Sequence, residues 1–107
     1  MKYEGMWHLT AMEMWDADSL HREVQAFIWI KRDGGGEFQF GLVSGQIDGE
    51  VVKTAAGEQF EFTWEGNDEC DPASGSGGLE ITAKSELVGK IKIPYGDSSI
   101  LIAKRAK

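Results

Sequence analysis

The chain has one cysteine, Cys70, and only two prolines in 107 residues. A lone cysteine leaves no intrachain disulfide framework, so packing must hold the fold. No stretch approaches the roughly 20 apolar residues that a membrane helix needs. Residues 1–8 hold no apolar run long enough for a secretory signal. Cations are scarce too: 11 Lys and Arg stand against 18 Asp and Glu, a net charge of −7. Phosphate backbones and anionic membrane surfaces are bound by clustered positive charge and would repel such a chain at long range. These shortages predict a cytoplasmic protein with no nucleic-acid partner and no membrane partner.

What the chain does have is glycine and aromatic rings. Its length suits one domain over residues 1–107 with one core. Four Trp and five Phe supply much of the burial, at about 150–250 Å² for each aromatic side chain. Fourteen glycines punctuate short alternating runs, the pattern of a sheet with many reversals. Residues 6–14 place Trp7, Leu9 and Ala11 on one face. Residues 23–31 alternate through Val24, Ala26, Ile28 and Ile30, although residues 20–26 also suit a turn or two of helix. After a turn at residues 32–36, residues 37–43 align Phe38, Phe40 and Leu42. Asp48-Gly49 reads as a type I′ hairpin turn before a short strand at 50–53. Residues 59–65 alternate Phe60, Phe62 and Trp64. Past a long polar loop at 65–77 come strands at 79–83, 86–93 and 99–105, with Leu87, Gly89, Ile91 and Ile93 sharing a face.

Eight short antiparallel strands with one apolar face each predict an all-β, up-and-down barrel, which leaves no exposed edge. A seven-strand count or a flattened sandwich is the alternative. Trp7, Phe38, Phe40, Phe60, Phe62 and Trp64 are the inward candidates. Their bulk predicts a filled interior with at most a shallow pocket.

Gly5-Met6-Trp7 at the first strand and Lys104-Arg105 at the last resemble the lipocalin and avidin style of calycin barrel. That resemblance implies that Trp7 packs across the barrel floor beneath Arg105 or Lys104. The chain is shorter than a usual lipocalin and lacks that family's C-terminal helix. The run from Phe62 to Gly75, with Gly96-Asp97-Ser98-Ser99, resembles a segment of small bacterial all-β proteins, a group that brings no function with it.

With eight strands, the longest connections fall on one rim, and binding residues favour loops held on a rigid scaffold. That rim would carry Asp16, Asp18, Asp48, Glu65, Asp68, Glu69, Asp71 and Asp97, with Arg22 the one cation. The candidate ligand-binding residues are Trp15, Asp16, Asp18, Glu65, Asn67, Asp68, Glu69, Asp71, Tyr95 and Asp97. Carboxylates beside Trp15 and Tyr95 suit a cation, a hydroxylated small molecule or a basic partner segment. Asp68, Glu69 and Asp71 offer part of a calcium shell, but their spacing is not that of an EF-hand. The bland alternative is a solvated acidic loop that bonds its own backbone. Phe27 and Trp29 fall on the outer face, where large aromatics mark an interface, so a homodimer is expected through them. An interaction protein with no ligand is thus the competing reading.

Evidence for catalysis is thin. Cys70, His8 and His21 are too few and too scattered for a structural zinc site, which takes four ligands. Acidic neighbours disfavour a Cys70 thiolate. Asp16 with Asp18, or Asp68 with Asp71, could form a glycosidase pair, but nothing singles out either. Asp16 and Asp18 suit capping a short helix before Leu20 better. No cofactor is expected, and no enzymatic activity.

Overall fold

The computed structural model describes residues 2–13, 17–21, 24–55, 57–69, 71–93 and 98–106. Eight antiparallel strands follow in chain order and close into a barrel, as the alternation predicts. They are β1 (Gly5–Met12), β2 (Phe27–Ile30), β3 (Gly35–Phe40), β4 (Val43–Thr54), β5 (Gly57–Asp68), β6 (Asp71–Ala83), β7 (Glu86–Lys92) and β8 (Ser98–Arg105). Closure comes from β1 pairing with β8, with Trp7 opposite Arg105 and Leu9 opposite Ala103. A short helix, α1 (Ala17–Leu20), lies between β1 and β2.

All six predicted inward aromatics are buried. The rings of β5 sit on glycines of the flanking strands, and this seating explains much of the glycine content. An added Cβ at Gly49 of β4 would lie 2.7 Å from Phe60 Cζ and 2.7 Å from Phe62 Cβ. At Gly77 of β6 it would lie 2.6 Å from Phe62 Cζ, and at Gly45 of β4 2.8 Å from Trp64 Cε3. Trp64 meets Phe38 edge-on at 5.2 Å between ring centroids, the geometry its quadrupole favours. Its indole N–H donates to the Lys92 carbonyl at 3.0 Å.

Several boundaries differ from those expected, each for a local reason. Asp48 and Gly49 lie in mid-β4, not in a turn. The reversal falls at Gly41-Leu42, where Gly41 takes φ +56°, a region open to glycine at little cost. The expected loop at 65–77 is strand: β5 runs to Asp68 and β6 starts at Asp71. Glu69, in the tight connection between them, takes φ +60°, as primed hairpin turns require. A β-bulge between Leu9 and Ala11 turns Ala11 outward and buries Met12 instead. Only Phe27–Ile30 of the second run is strand; Val24 is exposed, while Ala26 is buried.

Both ends of the barrel are plugged. At the end holding the chain termini, Arg105 stacks 4.1 Å above the centroid of the Trp7 ring. Its guanidinium donates to the carbonyls of Glu4 and Lys2, each at 2.9 Å. Trp7 Nε1 donates to the Tyr3 carbonyl at 2.9 Å, and the Tyr3 ring lies 5.6 Å from that of Phe60. Arg105, and not Lys104, is thus the basic side chain that covers Trp7. At the opposite end, Leu20 of α1 is buried, and its carbonyl accepts from Gly41 N–H at 2.8 Å.

Burial of Tyr3 holds its phenol above the usual value of 10.0; a backbone hydrogen bond at Ile81 opposes this, and Glu58 and Glu80 add to it. The folded chain therefore holds this proton more tightly than the unfolded chain does. The linked stability is full below about pH 10 and is lost as pH rises through the raised folded value. Urea midpoints measured at pH 9 and pH 11 should fall further in the native chain than in Tyr3→Phe. An equal fall in both would show that Tyr3 contributes nothing to the loss.

Candidate functional site

The acidic rim is only partly assembled. Asp18 is exposed on α1, and Asp68, Glu69 and Asp71 are exposed at the tip of the β5–β6 hairpin. Asp68 stands directly opposite Asp71 in the register, a repulsive arrangement of like charges. Asp48 leaves the rim for the wall of β4, and Glu65 and Asn67 leave it for the wall of β5. Trp15, Asp16, Arg22, Cys70, Tyr95 and Asp97 lie outside the described residues. Among the described residues, no three of His, Cys, Asp and Glu converge as a metal would require. His21 Nδ1 accepts from Ala26 N–H at 3.1 Å, so this imidazole fixes the approach to β2. His8 faces outward between Phe27 and Lys104.

The concave surfaces lie on the outside of the barrel, over its longest strands. β4, β5 and β6 have 12, 12 and 13 residues. Long strands in a small closed sheet twist strongly, so their outer face is saddled. Outward residues align there in rows across the strands. One row runs Trp29, Glu37, Gln46, Glu65, Ser74. A second runs Phe27, Gln39, Ser44, Asn67, Pro72. Between β3 and β6 these two rows line one groove of amides, hydroxyls and carboxylates, with Phe27 at its edge.

A second groove continues from it over β4 to β7. Asp48, Thr63, Ser76 and Lys92 form one of its rows, and Glu50, Glu61, Gly78 and Lys90 the other. Carboxylates thus stand on one side and ammonium groups on the other, over a floor of small residues. Glu61 accepts from Gln59 Nε2 at 2.6 Å, which steadies the acidic side. Among the described residues, neither Lys90 nor Lys92 is paired with a carboxylate. The sequence missed this groove because it is made by register: residues from 48 to 92 meet only once four strands are aligned.

The outer face of β1, β2 and β8 differs. Trp29 and Met6, each 39% exposed, stand opposite one another. Ile100 and Ile102 are also exposed, and Ile102 pairs with Val88. Lys31 Nζ lies 5.9 Å from the Trp29 ring centroid, covering part of it. Phe27 is half-buried. Among the described residues, no helix is long and apolar enough to cross a membrane.

Comparison with models of known families, with curated proteins and with solved structures returns no match to this chain.

Proposed function

We propose that the protein is a binding module that takes a small polar ligand on the outer wall of β3–β7. The observation that carries this is the contrast between the two sides of the sheet. The inside is filled by Trp7, Phe38, Phe40, Phe60, Phe62 and Trp64, all buried, and side chains plug both ends. The outside presents two continuous grooves lined by hydrogen-bonding and charged groups. Of the residues expected to bind, Glu65 and Asn67 line one of these grooves. The hairpin acids add a negative field at its margin, which favours ligands bearing a cation or hydroxyls. The lone cysteine suits a reducing, cytoplasmic setting.

A second reading is a homodimer through Trp29, with Phe27 at its margin, supported by the exposed Trp29–Met6 pair. Native mass spectrometry of freshly purified protein, with a denatured control, separates the two. The binding reading predicts a monomer carrying extra mass that is lost on denaturation. A bare dimer would contradict it in favour of the dimer.

A further inference from the structure

Gly78 is the anomaly of the outer wall. Other glycines in strand interiors are accounted for by rings or backbone that crowd the Cβ position, or by a positive φ, and Gly35, at the first position of β3, has the Asp33 and Lys31 side chains against it. At Gly78 the nearest atom to an added Cβ is Phe60 O, at 3.9 Å, with no positive φ. A side chain would fit here, and its absence from a strand interior costs stability. Neither folding nor packing asks for it. Gly78 also stands at the centre of the second groove, directly between Glu61 and Lys90 in the register. Glycine inside a strand marks places where another molecule approaches the backbone closely.

We infer that this groove binds a small zwitterion of dipeptide size, with Gly78 keeping its floor open. The inference rests on the outer-wall reading above and names its ligand. The ammonium end faces Glu50 and Glu61, and the carboxylate end faces Lys90 and Lys92. Neighbouring strands lie about 4.8 Å apart, so Glu61 and Lys90, two strands apart, are separated by about 10 Å at Cα. Two residues of extended chain span about 7 Å, which leaves room for a charged side chain to close on each end. The Thr63 and Ser76 hydroxyls lie in the adjoining row and can bond the peptide group. Opposite charges held apart across a bare floor suit a ligand that carries both charges; a simple cation or anion would satisfy only one side.

Isothermal titration calorimetry on the full chain tests this, with diglycine as probe and N-acetylglycinamide, putrescine and glucose as comparisons. Diglycine should bind saturably, and N-acetylglycinamide, with neither charge, at least tenfold more weakly. Gly78→Val should keep or raise the Tm while weakening diglycine at least tenfold. Glu61→Gln and Lys90→Gln should each weaken it as well. Diglycine binding that survives Gly78→Val would overturn the assignment. Saturable binding of glucose or putrescine without diglycine would overturn the zwitterion and leave the outer-wall reading standing. No binding by any of the four would overturn both.

Discussion

Trp7→Ala is expected to lower stability by about 3–5 kcal/mol, as removing a large buried aromatic does. Trp7 is fully buried and is the centre of the plug at the terminal end. Its loss leaves the Arg105 guanidinium without the ring it covers at 4.1 Å, an interaction of about 0.5–2 kcal/mol. It also leaves the Tyr3 carbonyl without its indole donor. Arg105→Ala isolates the smaller part: it removes two bonds to the carbonyls of Glu4 and Lys2 while keeping the indole. Chemical denaturation should therefore rank native, Arg105→Ala and Trp7→Ala in that order of falling stability. A Trp7→Ala loss below about 1 kcal/mol would mean that the plug is not structural, since exposed changes cost this little.

Gly75→Ala should cost about 3 kcal/mol, far more than one methyl group at an open strand position. The added Cβ would collide with the Lys92 carbonyl and lie 2.8 Å from Trp64 Nε1. Those are the two partners of the hydrogen bond that Trp64 donates. Overpacking of this kind costs about 1–3 kcal/mol, and separating a buried donor from its acceptor adds about 1–3 kcal/mol. Tryptophan fluorescence and a urea titration on the variant read both parts. An unchanged midpoint would show that the ring does not rest on Gly75.

The same residue type explains where the sequence was legible and where it was not. Strict alternation revealed Phe60, Phe62 and Trp64 on β5, and Leu87 and Ile91 on β7, because period-two burial is a local signal. Glycine misled where its reason lay on another strand. Gly49 stands after Asp48 and looks like a hairpin signal, yet it is there to receive the Phe60 and Phe62 rings. The stretch from Gly66 to Gly77 looks like a loop because it is small and polar. Gly75 and Gly77 seat the Trp64 and Phe62 rings, Gly66 lies against the backbone of Ser44 and Gly45, and the outward serines floor the grooves. The turn at Glu69 carries no Gly or Asn at its positive-φ position, so nothing local announced it. Ala11 changed faces because the bulge after Leu9 shifts the register by one, and such a shift moves each following side chain to the other face.

The candidate site shows the same division. Acidity near the hairpin is legible in composition, and Glu65 and Asn67 stand out in the sequence as ligand-binding candidates. Gln46, Ser74 and Gln39, which share their groove, do not stand out, since pairing across four strands decides which outward residues meet. Packing also fixes the inside: once the rings are seated on glycine, little room remains there for a ligand. Under the proposed function, specificity then falls to the outer wall.

On the proposed function, ligands meet the outside of this barrel and not its interior. The most direct test is an amide chemical-shift map of the full chain, collected with diglycine, glucose and putrescine. Perturbations are expected only at outward positions of β3–β7, around residues 37–39, 44–50, 61–67, 72–78 and 90–92. Shifts centred on inward positions such as Phe38, Phe60 and Leu101, or on the tip of the β5–β6 hairpin alone, would contradict it.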